Sequence, residues 1–177
     1  MIRPAITLPL TLAALTLAAC TTTGEVPTAK LATATLKQGN GLPAGTAVLA
    51  AAGDKVTLTV AVAGLSAGDR GMHLHMIGRC DGPDFTSAGG HLNPGARQHG
   101  AHNPAGSHLG DLPNLTVGVN GTGSATATLP GTRAELEAAL FDTDGTAIII
   151  HASADDYKTD PTGNSGPRVV CGVLTRS

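Results

Sequence analysis

The sequence predicts an all-β fold, a sandwich or barrel of eight strands broken by two long loops. Three observations support it. With no Trp, two Phe and one Tyr in 177 residues, the core must be filled by Val, Leu, Ile and Ala, which suits closely approaching strands better than thick side-chain layers. Twenty-four glycines and eleven prolines make the chain rich in turns. Between those turns the apolar residues fall in short runs, some with the period of two that one wet and one dry face produce. The length suits one domain with one core.

The N-terminal residues stand apart from that pattern. Arg3 gives a positive start, residues 6–18 are apolar but too few to span a bilayer, and Leu17, Ala18 and Ala19 lead into Cys20. This ending resembles a bacterial lipobox, so residues 1–19 are expected to be a lipoprotein signal peptide and Cys20 the lipidated first residue of the mature chain. An ordinary secretory signal is the alternative. Residues 20–29 then read as a lipidated tether and 30–177 as the domain. Such a chain would sit in a bacterial periplasm, with Thr21 rather than Asp after Cys20 favouring the outer membrane. Without Arg3 the mature chain carries 10 basic and 13 acidic residues and no basic run, which excludes nucleic acid as a natural partner. Cys80 and Cys171 remain as one pair in a compartment where disulfides persist, the alternative being two buried free thiols.

The domain opens with strands expected at 31–37, 46–52 and 55–63. In the third, Lys55, Thr57 and Thr59 alternate with Val56, Leu58 and Val60. Residues 64–71 read as a turn and 72–77 as a fourth strand. After a long loop, 114–119 and 123–129 form a hairpin whose Asn120-Gly121 dipeptide suits a turn with positive φ at both central positions. Thr132 and Glu135 make a capping box for one short helix over 132–140. An apolar strand at 146–151 ends on His151, residues 152–167 form the second long loop, and 168–174 close the domain.

The candidate chemistry is concentrated in histidine. Residues 91–111 hold His91, His99, His102 and His108, four of the chain's seven histidines, and end on Asp111. Pro94, Gly95, Gly100, Pro104, Gly106 and Gly110 forbid regular structure there, so something else must order the loop. His91, His99, His108 and Asp111 would form the closed tetrahedral set that a structural zinc takes, and coordination would offset the entropy of fixing the loop. His102 is expected to be solvent-exposed. On the fourth strand His73 and His75 are two apart and share a face, which separates them from Met72, Leu74 and Met76. With His151 they form a nitrogen set that suits copper. Six histidines and Asp111 supply seven ligands for two sites, so for copper to have four, one imidazole must serve both.

At this point the sequence resembles the copper/zinc superoxide dismutase family. The family's paired histidines stand as Gly71-Met72-His73-Leu74-His75, its next segment as Gly90-His91-Leu92-Asn93-Pro94, and its zinc segment ends as His108-Leu109-Gly110-Asp111-Leu112. The last copper histidine stands in His151-Ala152-Ser153-Ala154-Asp155-Asp156. The C-terminal motif runs from Gly163-Asn164 through Arg168 to Cys171-Gly172-Val173. The likeness covers the mature domain from first strand to last. Met72, where the family has an aromatic, and Pro167 before Arg168 are departures.

The resemblance implies an eight-stranded antiparallel Greek-key barrel or sandwich. It implies one copper on His73, His75, His91 and His151, one zinc on His91, His99, His108 and Asp111, and His91 bridging the two. It matches Asp155 to a carboxylate that links His73 to His99, Arg168 to the guanidinium beside copper, and Cys80 with Cys171 to the family disulfide. The implied activity is dismutation of two superoxide anions and two protons to dioxygen and hydrogen peroxide, protecting the cell envelope. Copper cycles between two oxidation states, with Arg168 and His91 as catalytic residues and His91 donating a proton. Lys158 would add positive potential on the second loop. The alternatives are a periplasmic metal-binding lipoprotein without turnover and a structural β-domain with a histidine-rich loop. Family members occur as monomers and as homodimers, and the sequence does not choose.

Overall fold

A computed structural model describes residues 27–177. It contains ten strands and one α-helix, in the order β1 Thr28–Gln38, β2 Pro43–Ala52, β3 Lys55–Val62, β4 Gly68–Arg70, β5 Met72–His75, β6 Leu115–Val117, β7 Gly123–Thr128, α1 Arg133–Leu140, β8 Ala147–His151, β9 Arg168–Val173 and β10 Thr175–Arg176. Neighbours run β4-β6-β7-β3-β2-β1-β9-β8-β5, and every pairing is antiparallel. The two ends of this ribbon, β4 and β5, are consecutive in the chain and separated only by Gly71, so the sheet is nearly closed into a barrel.

The alternation seen in the sequence sets the core. Val56, Leu58, Val60 and Val62 of β3 point inward, and Leu36, Leu49, Met72, Leu74, Leu115, Ile148 and Ile150 meet them. Strand β8 is buried on both faces. Ile148 and Ile150 belong to the barrel interior. Ala147 and Ile149 face outward into a second cluster with Phe85, Ala88 and Cys171, beneath the loop that begins at Cys80. The Cys80–Cys171 disulfide, with Cα atoms 5.7 Å apart, pins that loop to β9.

Several expectations need correction. The strand count rises from eight to ten because the segment 64–71, read as a turn, contains β4, and because the C-terminus adds β10 against β1. Both are two or three residues long, below the length at which alternation can be recognised. Strand β1 starts at Thr28, inside the segment assigned to the tether, since Thr28 and Ala29 pair with Ala52 and Ala51. The rest of that tether, the signal peptide and Cys20 lie outside the described residues except for Pro27. The β6–β7 hairpin does not use positive φ at both Asn120 and Gly121. Gly121 alone has it, at 76°, and its N–H donates to Gly118 O while Asn120 Oδ1 accepts from Thr122 N. Helix α1 begins as expected: Thr132 accepts from Glu135 N and the Glu135 carboxylate accepts from Thr132 N.

Candidate metal centre

The register of β5 against β8 decides where the histidines go. His73 pairs with Ile149 and His75 with Ala147, so both rings leave the barrel on the outward face that Ala147 and Ile149 share. His151, two residues beyond Ile149, joins them. Met72 and Leu74 point into the core, while Met76, past the strand end, is half exposed.

Strand β5 has an unpaired edge, and the first long loop binds to it. Leu74 N donates to Gly110 O, Leu92 N to Leu74 O and Met76 N to Gly90 O. His91 and Asp111 therefore form bridge partners of His75 and His73. Gly110 is required at this crossing because a Cβ there would collide with Leu74 O. The second loop docks at the other end of the strand, where Gly71 N donates to Ser153 O and His151 N to Gly71 O.

The result is one buried cluster of imidazoles in which tautomers are dictated by oxygen acceptors. His75 Nδ1–H donates to Gly89 O (2.9 Å) and His151 Nδ1–H to Gly166 O (2.9 Å). A carbonyl can only accept, so in each neutral ring Nε2 keeps its lone pair. His73 Nε2–H donates to Asp155 Oδ2 at 2.7 Å, which leaves the lone pair on Nδ1. His73 Nδ1, His75 Nε2, His91 Nε2 and His151 Nε2 are all buried and have no hydrogen-bond partner among the described residues. These four residues also form a group whose ligating atoms lie within 4.8 Å of one another. Burial holds the rings neutral. It lowers His73 and His151 to about 4 and His75 to about 2, and the neighbouring His91 adds to the shift in all three.

A second set lies on the far side of His91. Asp111 Oδ1 is 3.0 Å from His91 Nδ1, 2.9 Å from His99 Nδ1 and 3.2 Å from His108 Nδ1, and the His91 and His108 Nδ1 atoms are 3.3 Å apart. His99 Nε2–H donates to Asp155 Oδ1 (3.0 Å) and His108 Nε2–H to Arg97 O (3.1 Å). Both Nδ1 atoms thus bring lone pairs towards a carboxylate oxygen, an arrangement that repels unless a cation lies among them. Ligand-to-ligand edges of about 3.3 Å follow from a tetrahedron of roughly 2.0 Å bonds. Three buried imidazolium ions around one carboxylate would be the costly alternative. His73, His91, His99 and Asp111 also fall within a common 4.8 Å group. His108 rather than His73 is the natural fourth member, because His73 has Nε2 on Asp155 and directs Nδ1 to the first set. Asp111 stays ionised: burial opposes this, but the His91 ring, the Gly100 N–H and the neighbouring histidines hold it well below the usual carboxylate range.

The donor chemistry fits copper in the first set and zinc in the second. Asp155 spans them, with one oxygen on His73 and the other on His99. Arg168 forks onto Phe85 O and Gly89 O, both at 2.7 Å, so it shares the Gly89 carbonyl with His75. His102 is exposed and outside both sets, its ring edge-on to Tyr157. The structure adds residues that the sequence did not single out. Arg70 is buried, hydrogen-bonds Ser66 O and Ala152 O, and so fixes the chain beside His151. Gly89, Gly166 and Arg97 act through backbone carbonyls, for which side-chain identity carries no signal.

A family model described as copper/zinc superoxide dismutase matches residues 43–174. The superoxide dismutase (Cu-Zn) of Caulobacter vibrioides is 40% identical over 147 residues, covering 80% of this chain and 83% of that protein. The superoxide dismutase-like protein YojM of Bacillus subtilis is 50% identical over 106 residues, 59% of this chain, and the match spans only 54% of YojM's length. A crystal structure of a superoxide dismutase-like protein from Bacillus subtilis superposes with a TM-score of 0.77 at 38% identity, covering 83% of this chain and 100% of the other.

Gly163 tests the geometry around Asp155. Its φ is +64°, and an added Cβ would collide with Asp155 Oδ1 and sit 2.6 Å from His99 Nε2. Gly163→Ala is expected to weaken zinc retention against a chelator by about 10- to 100-fold, the usual cost of disturbing groups that orient metal ligands. Unchanged retention would show that the carboxylate does not hold His99 for metal.

Proposed function

The chain belongs to the copper/zinc superoxide dismutase family, and from that membership we propose that it dismutates superoxide with copper on His73, His75, His91 and His151 and zinc on His91, His99, His108 and Asp111. The observation that carries this reading is the convergence of four buried ring nitrogens that have no hydrogen-bond partner among the described residues. Copper there supplies one-electron exchange with superoxide, and zinc, which has no redox chemistry, supplies fixed charge and loop order.

The chain's own residues do the rest. His91 faces both sets, Nε2 to the first and Nδ1 to the second. A proton held at its Nε2 is placed for donation to the departing peroxide. Asp155 and the Gly89 and Gly166 carbonyls keep the other rings from turning. Arg168 draws the anion in. The chain has a formal net charge of −2, so superoxide approaches against the mean field, and a local cation must overcome it. Among the described residues both guanidinium hydrogen bonds go to neutral carbonyls, so no ion pair ties up the charge, and Asp84 acts on it only through space.

The cellular setting is part of the proposal. The apolar leader ending at Cys20 supports a lipid anchor in the bacterial envelope, where the enzyme would protect against superoxide arising outside the cytoplasm. A disulfide agrees with an oxidising compartment. Among the described residues no helix is long and apolar enough to cross a membrane.

Elemental analysis of the purified folded chain, paired with a superoxide-consumption assay, tests the assignment. One copper and one zinc per chain, with activity abolished by chelation, is expected; zinc alone, inactive after copper loading, would leave a metal-binding protein. Arg168→Ala should keep both metals, lower kcat/KM about tenfold or more and flatten its dependence on salt. Metal loss in that variant would contradict the steering role. Cys20→Ser should abolish fatty-acid incorporation and move the protein from the membrane to the soluble fraction, whereas unchanged membrane association would refute the anchor.

A further inference from the structure

The only tyrosine of the chain, Tyr157, stands where the two long loops meet. It occupies the left-handed region with φ 61°, a conformation that an aromatic residue adopts only when its surroundings fix it. Its surroundings do so from three sides. The Tyr157 N–H donates to Asp155 Oδ1 at 2.7 Å. The Tyr157 hydroxyl accepts from Asn114 N at 2.7 Å. The Tyr157 carbonyl accepts from His102 N at 2.9 Å, and it lies so near Gly100 that any Cβ there would collide with it.

Asn114 completes a ring of contacts. Its Oδ1 accepts from Asp155 N (2.8 Å) and its Nδ2 donates to Asp155 O (3.0 Å). Asn114, Asp155 and Tyr157 thus hold one another in a closed circuit, with the Asp155 carboxylate pointing out of it to His73 and His99. The same tyrosine carries the segment from Gly100 to His102, directly after His99, on its carbonyl and ring edge.

We infer that Tyr157 is a positioning residue for the zinc set: its hydroxyl holds Asn114 against Asp155, and through that carboxylate it fixes the ring of His99. The inference rests on the metal assignment proposed above and adds a residue to it. Without the hydroxyl, the half-buried Asn114 N–H has no acceptor, and the two side-chain hydrogen bonds from Asn114 to the Asp155 backbone lose the contact that positions them.

The test is zinc affinity, measured by chelator competition on the full domain with its metal-binding residues intact. Tyr157→Phe should bind zinc about tenfold more weakly, with only a small drop in the melting temperature of the metal-free protein. A residue that merely supports the fold would lower that melting temperature and leave affinity alone. The loss should fall below about twofold in an Asp155→Asn background, because the carboxylate is the route by which the hydroxyl acts. Where Asp155→Asn does not fold, Asn114→Ala serves: joined with Tyr157→Phe it should cost no more than either change alone. Equal zinc affinity in wild type and Tyr157→Phe, or full additivity in either double variant, would overturn the role of Tyr157. A wild-type chain that takes up no zinc is a separate result, which defeats the metal assignment itself.

Discussion

Four of the clustered imidazoles, His73, His75, His99 and His151, commit one ring nitrogen to an oxygen of Asp155, Gly89 or Gly166, and a fifth, His108, uses Arg97 O. That constraint fixes the tautomers and therefore the direction of every remaining lone pair. His91 is the exception, since neither of its nitrogens is tied to a carbonyl and both face ligand sets. Burial then ensures that His73, His75 and His151 arrive neutral, because charging them in this environment costs more than their neighbours return. A site built this way is preorganised for cations and unfavourable without them.

The barrel supplies the wall on which this can happen. The alternation of β5 sends Met72 and Leu74 into the core and His73 and His75 outward, so packing of the interior also sets the spacing of the ligands. The free edge of β5 then recruits the first loop by backbone hydrogen bonds. Loop entropy is offset in steps: the edge holds residues 90–92 and 110, the disulfide holds the stretch after Cys80, and Asp155 with Tyr157 holds the junction between the loops. Arg168 depends on the same arrangement, since both carbonyls it grips belong to the disulfide-pinned loop.

Much of this was legible in the chain. His73 and His75 on one face, the alternation of β3 and the capping box at Thr132 all follow from periodicities that the backbone enforces, and the structure places them accordingly. The histidine spacings from His91 to Asp111 pointed to a closed set, and the three Nδ1 atoms converge on one Asp111 oxygen. Three kinds of feature left no trace. Strands as short as β4 and β10 give no period to read. Carbonyl acceptors such as Gly89 O belong to the backbone, whose direction depends on tertiary contacts. Asn114 and Tyr157 lie more than forty residues apart, and only folding shows that both hold Asp155, one by its backbone and the other by its carboxylate.

The most direct test of the locked tautomers is long-range proton–nitrogen NMR of the histidine side chains at neutral pH, in metal-free protein and then with both metals. A single protonated nitrogen is expected at Nε2 of His73 and at Nδ1 of His75 and His151 in both states, and at Nε2 of His99 and His108 once both metals are bound. His91 should lose the proton from both nitrogens once both metals are bound. Averaging between tautomers, or a second ring proton at neutral pH, in His73, His75 or His151 of the metal-free protein would contradict the locked tautomers.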